Sequence, residues 1–139
     1  MSDLIYELTP EQLEIRAAIE RIMEDFDDDY WLKTDQTGEY PHAFRKAIAA
    51  GGWLGICMPE DVGGSNLGIT EATVMMEAVA NTAGGQTAAS AIHLNIFGPN
   101  VLVKYGTDEQ RKTFLPPIIS GDLMTSFGVT EPDAGLDTT

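Results

Sequence analysis

Cysteine is almost absent: the 139 residues contain one, Cys57. No internal disulfide can form, and with only His42 and His93 beside it, no thiolate zinc site of the usual kind can be assembled. Such a chain suits a reducing compartment, and a cytoplasmic location is expected. Positive charge is scarce as well. Eight Lys and Arg stand against 22 Asp and Glu, a formal net charge of -14, so the molecule repels nucleic-acid phosphates and anionic lipid heads. No apolar run approaches the roughly 18 residues of a membrane span, and the first residues, MSDLIYELTPEQLE, are too acidic for a mitochondrial presequence. Neither nucleic-acid binding nor membrane insertion is expected. None of the 14 glycines forms a Gly-x-Gly, which removes the dinucleotide fingerprint, and Gly-Lys-Ser/Thr, His-Glu-x-x-His and the nucleophile elbow are missing too.

What is present is ordinary globular material, 43% hydrophobic and 22% charged, long enough to bury roughly 65 to 70% of its unfolded surface around one core. The sequence Thr9-Pro10-Glu11-Gln12 reads as a capping box opening a helix. Ile15, Ile19, Ile22, Met23, Phe26 and Tyr30 follow at helical spacing, which predicts one helix reaching Asp27-Asp28-Asp29, where three acids meet the unfavourable end of the backbone dipole. They are expected to be solvated, as is the acidic face formed by Glu14, Glu20, Glu24 and Asp25. Pro41 opens a second helix with Gly51-Gly52 to end it in a left-handed cap. Trp53 to Pro59 is a short apolar connector, and residues 60–66 are turn chemistry.

Helical spacing resumes from Thr70 to Thr82 and again over residues 86–97, where the small residues around Ala88, Ala91 and Asn95 suit the middle of a bundle. Gly98-Pro99 restarts a short helix through Val101 and Leu102. Thr107-Asp108-Glu109-Gln110 is another capping box, before a helix that Pro116-Pro117 must end or bend. After Gly121 the period changes. Leu123, Thr125, Phe127 and Val129 alternate with Met124, Ser126 and Gly128, the pattern of a strand. One strand is not stable alone, so the expected fold is mainly α, a helical bundle over residues 1–121 followed by the first strand of a β-domain over 122–139, in a chain that reads as part of something longer.

That final segment, Phe127-Gly128-Val129-Thr130-Glu131-Pro132-Asp133-Ala134-Gly135-Leu136-Asp137, resembles the Thr-Glu-Pro-x-x-Gly-Ser-Asp signature of the acyl-CoA dehydrogenases. Further pieces in the order of that family lie upstream: Gly52-Trp53-Leu54-Gly55-Ile56 with Pro59-Glu60 and Gly63-Gly64, then Tyr105-Gly106-Thr107 with Gln110, then Leu115-Pro116. The resemblance implies an FAD-dependent enzyme that removes the proton alpha to a thioester carbonyl with a carboxylate base and passes the beta hydride to flavin N5. It implies acyl-CoA as substrate and a homo-oligomer as the intact protein. In the family the base lies in a later region, so no acid of this chain is nominated and the chain alone is expected to be inactive.

By the same resemblance, Phe127, Val129, Thr130, Gly135 and Leu136 are the candidate flavin contacts. The chemistry agrees: a strand ending in a tight turn offers free backbone groups beside the Thr130 hydroxyl, and Ala134-Gly135 lets backbone approach a pyrophosphate. Leu136 departs from the family, which has serine there; Thr138 or Thr139 is a substitute hydroxyl. The plainer readings stand beside these. Thr130 is otherwise a turn residue, Glu131 a surface acid, His93 a satisfied core histidine and Cys57 a small buried hydrophobe. Val74, Met75 and Val79 are core, Trp53 is a packing anchor, and Ala88 to Ala91 permit close helix packing in preference to lining an acyl channel. An acyl-CoA oxidase or flavin monooxygenase on the same scaffold, or a noncatalytic helical interaction module, are the alternatives.

Overall fold

The computed structural model describes residues 7–135. Within them the chain is a helical bundle, and the mainly α expectation holds. Helix α1 (Pro10–Met23) starts where the capping box requires: Thr9 Oγ1 accepts from the Gln12 N–H at 3.2 Å while Gln12 Oε1 accepts from the Thr9 N–H at 3.1 Å. It stops at Met23 instead of running on to the acidic triplet. Asp27 is the N-cap of a separate helix α2 (Asp28–Thr37), its carboxylate accepting from the Tyr30 N–H at 2.9 Å. The three acids thus sit at the favourable end of a helix dipole, reversing the expectation. They are exposed, as are Glu14, Glu20, Glu24 and Asp25.

The break between α1 and α2 is held by aromatics. The Trp31 indole N–H donates to the Phe26 carbonyl at 2.9 Å, and Phe26, Tyr30, Trp31 and Phe44 meet edge to face with centroids 4.9 to 5.6 Å apart, a favoured geometry for ring quadrupoles. A continuous helix would carry Phe26 and Trp31 to different faces. Phe44 belongs to α3 (His42–Ala50), after which Gly52 takes the left-handed conformation at φ 76°. A 3-10 turn at Trp53–Gly55 and another at Glu60–Val62 follow. Helix α4 (Ile69–Ala80) leads to α5 (Gly85–Phe97), α6 (Asn100–Tyr105) and α7 (Asp108–Ile119).

Helix α5 lies in the middle, packed against α3, α4, α6 and the turn at 53–55. Ala88 and Ala91 are buried there together with Ile92 and Ile96, so the small residues serve close packing. The core joins these to Ile15, Ile19, Phe44, Ile48, Val74, Met75 and Val79, and Trp53 packs against it. Leu115, Ile118 and Ile119 of α7 form a second cluster with Met58 and Val62. Pro116 and Pro117 do not end α7 at once; it runs on to Ile119 and stops at Ser120. The carbonyls deprived of a helical partner belong to Lys112 and Thr113, both exposed, where solvent can satisfy them.

The alternating run 123–129 is not a strand among the described residues, because no neighbouring strand supplies a ladder. Among the described residues the one β-type pairing is local: the Glu131 and Ala134 N–H groups each donate to the other's carbonyl at 3.2 Å, closing a tight turn around Pro132 and Asp133. No helix among the described residues is long and apolar enough to cross a membrane.

Candidate functional site

The segment after α7 leaves the bundle through a polar junction. Arg45 of α3 is buried, and its guanidinium donates from Nη1 to the Gly121 carbonyl and from Nη2 to the Leu123 carbonyl at 3.1 Å. Asn95 of α5, also buried, donates from Nδ2 to the Ile118 carbonyl at 3.4 Å and to that of Leu123 at 3.5 Å. Thr125 donates its hydroxyl to the Leu94 carbonyl at 2.9 Å. Three side chains therefore fix residues 118–125 onto α3 and α5. Gly121, at φ 83°, is required for this approach, since a Cβ there would lie 2.8 Å from the Ala49 Cβ.

Beyond Thr125 the character reverses. Among the described residues, the backbone N–H and C=O groups of residues 126–130 have no protein partner. Phe127 is 74% exposed and Val129 41%; Thr130 and Gly135 are exposed too. A Cβ added at Gly128 or Gly135 would meet nothing within 4 Å. Leu136, Thr138 and Thr139 lie outside the described residues. The four described candidates thus share one open segment with unpaired donors and acceptors, a free hydroxyl and two exposed apolar side chains. That set fits the polar edge and apolar face of a flavin.

Beside the junction, α5 presents a second outward row. Gln86 Nε2 donates to Ser90 Oγ at 3.0 Å, His93 Nδ1 lies 3.1 Å from the Ser90 carbonyl, and the His93 and Phe97 rings meet edge to face at 5.8 Å. His93 is half-buried on this row, not enclosed in the core. A groove of about 450 Å³ between α5 and the α2–α3 loop is lined by Tyr40, Gln86, Thr87 and Ser90 among others; burial raises the pKa of Tyr40, whose hydroxyl donates to the Ala91 carbonyl at 2.7 Å.

Cys57 is half-buried and 3.5 Å from the Gly68 carbonyl. Burial, with the charge of Glu71, raises its thiol pKa, which keeps it protonated and unsuited to nucleophilic work. Arg45 was not marked by the sequence as a site residue. Its only signal is position, an arginine next to Phe44 and about one turn before Ile48, both of which are buried. Asn95 was placed in a bundle-centre helix without a role, and the bond it makes depends on where α7 ends.

Residues 9–122 match the family described as "Acyl-CoA dehydrogenase, N-terminal domain"; the match ends before the open segment. The chain is 33% identical to an acyl-CoA dehydrogenase of Mycobacterium tuberculosis over 97% of its own length and 34% of that protein. In three dimensions it resembles a chain from a structure described as "Electron transferring flavoprotein of Acidaminococcus fermentans: Towards a mechanism of flavin-based electron bifurcation", with TM-score 0.83 and 26% identity, covering 96% of this chain and 35% of that one. It also resembles a chain of the ChsE4-ChsE5 complex from Mycobacterium tuberculosis, with TM-score 0.70 and 26% identity, over 96% and 33% of the two chains. The chain spans about a third of the length of these relatives.

Proposed function

The chain belongs to the acyl-CoA dehydrogenase family, and on that premise we propose that it is the N-terminal part of an FAD-dependent enzyme that desaturates an acyl-CoA thioester between its alpha and beta carbons. Residues 1–121 form the helical domain and residues 122–139 begin the next. The observation that carries the flavin assignment is the open segment 126–135: the backbone of residues 126–130 has no partner among the described residues, and with the exposed Thr130 it leaves a ligand's hydrogen bonds to be made.

FAD, when bound, supplies the acceptor for the electrons of the desaturation. The chain's own residues bind and orient. Thr130 and the backbone of Val129 offer donors and acceptors to the flavin's polar rim, Phe127 covers apolar surface, and Ala134 with Gly135 leaves room beside the phosphates. Phe97 and His93, whose rings meet on α5, offer an apolar and a polarisable surface for the thioester's acyl part. The acid that accepts the alpha proton comes from outside this chain. The intact protein assembles with further copies or related chains, and the one, half-buried cysteine of these 139 residues suits the cytoplasm.

Purified 139-residue chain is expected to show neither acyl-CoA turnover nor stoichiometric FAD, because it supplies one side of the pocket. The longer protein that contains it is expected to carry flavin and to reduce it on addition of an acyl-CoA. Thr130→Val in that protein should weaken FAD about five- to tenfold, the size of one hydrogen bond. A longer protein that is folded and free of flavin sinks the assignment.

A further inference from the structure

We propose that Arg45 is the positioning residue for the flavin-facing segment, acting as a clamp that fixes where residues 126–135 leave the bundle. This rests on the FAD reading for its purpose and on geometry for its existence.

A buried guanidinium is costly unless its charge is answered. Arg45 is 6% exposed and, among the described residues, forms no ion pair. Its partners are the carbonyls of Gly121 and Leu123, immediately past the end of α7 at Ile119. That is the negative end of a helix dipole, which supplies the compensation an acid would otherwise give. The planar fork suits this pairing, since two nitrogens at fixed spacing reach two carbonyls two residues apart in a turn.

A packing role alone would not require this arrangement. The same turn is also held by Asn95 and Thr125, and the three side chains together tie residues 118–125, which precede the segment 126–130, to α3 and α5. Among the described residues, two of the three buried polar or charged side chains, Arg45 and Asn95, bond at this exit, while the third, Gln12, bonds to Glu71. Fixing the root while leaving residues 126–130 without partners among the described residues orders the segment's start and keeps its hydrogen-bonding groups available. A ligand that binds there then orders fewer residues itself.

The test compares Arg45→Met and Arg45→Lys with a milder variant, Thr125→Val, which removes one hydroxyl bond at a half-exposed position and is not expected to threaten folding. In the 139-residue chain, amide hydrogen exchange at Gly121 and Leu123, whose N–H groups bond to Ile118 and Pro117, should speed at least tenfold in Arg45→Met. Amides of α1 and α4 should stay within twofold of wild type. In the longer flavoprotein, Arg45→Met should raise the FAD dissociation constant at least tenfold, Thr125→Val about threefold, and Arg45→Lys should fall between wild type and Arg45→Met. Unchanged exchange at Gly121 and Leu123 overturns the clamp. Accelerated exchange with an unchanged FAD dissociation constant overturns the positioning role. Uniform acceleration across α1, α4 and the turn makes Arg45 a general stability residue and overturns the proposal as well. If the wild-type longer protein holds no flavin, the FAD reading and the positioning role fail together, while the exchange result still decides whether the clamp exists.

Discussion

Helix α5 and the segment after α7 are both built from small, hydroxylated and apolar residues, yet they end in opposite states. In α5, Ala88, Ala91, Ile92 and Ile96 are buried and the backbone is paired within the helix. In the segment, Phe127 and Val129 are exposed and the backbone of residues 126–130 has no partner among the described residues. Composition does not separate the two. The difference is whether neighbouring elements reach them: among the described residues, α5 has partners on several sides and the segment is held at its root. Unmet hydrogen-bonding capacity beside exposed aromatic surface is what a ligand or a further layer of protein would complete.

The sharpest way to break this comparison is a pair of phenylalanine truncations. Phe44 is fully buried between Phe26 and Trp31, so Phe44→Ala should cost about 3 to 5 kcal/mol in urea denaturation. Phe127→Ala should shift the same transition by less than about 0.5 kcal/mol. Equal costs would mean that the segment belongs to the core. A second pair uses glycines. A Cβ at Gly84 would lie 2.5 Å from the Trp31 ring, so Gly84→Ala should destabilise by about 1 to 3 kcal/mol through overpacking. At Gly135 a Cβ meets nothing, and Gly135→Ala should leave the melting temperature unchanged while weakening FAD in the longer protein. A neutral Gly84→Ala would show that α2 is free to shift away from α5.

Capping gives a smaller effect at the point where sequence reading went astray. Asp27→Ala removes the carboxylate that accepts from Tyr30 and should cost about 1 kcal/mol; Asp25→Ala, exposed just before it, should cost nothing measurable. Local signals were read well where they were self-contained. Thr9 with Gln12 and Thr107 with Gln110 formed the capping boxes their spacing promised, and Ile15, Ile19, Val74, Met75 and Val79 are buried as their helical spacing required. The misplaced boundary at Met23 came from a tertiary cause. Apolar spacing continued through Phe26 and Tyr30, and nothing local shows that Trp31 bonds back to the Phe26 carbonyl. The alternating residues of 123–129 read as a strand for a similar reason, since periodicity reports side-chain faces and a strand also needs a neighbour. Arg45 was hidden because its partners are carbonyls 76 and 78 positions away. The candidate contacts Phe127, Val129, Thr130 and Gly135 came from a motif, and the structure adds that they are open.

The smallest effect concerns the tie between α1 and α4, on the paired side of the comparison. Gln12 Nε2 donates to Glu71 Oε1 at 2.9 Å, and Glu71 Oε2 accepts from the Gly68 N–H at 3.0 Å. The Gln12 hydrogen bond, followed by the backbone N–H groups of Glu71 and Gly68, lowers the Glu71 pKa below the ordinary carboxylate value. A carboxyl whose folded pKa lies below its unfolded one adds stability that is complete above the unfolded value and is lost as pH falls through the folded one. The wild-type chain should therefore lose part of its stability on acidification below the usual carboxylate range, and Glu71→Gln should flatten that part of the profile while lowering stability slightly at neutral pH. Urea midpoints across an acid-to-neutral series check it. Parallel profiles for the two proteins would show that Glu71 is not linked to folding. Exchange of the amides at 126–130 should remain fast at every pH in the series after correction for intrinsic rates, because no internal hydrogen bond there is coupled to the tie.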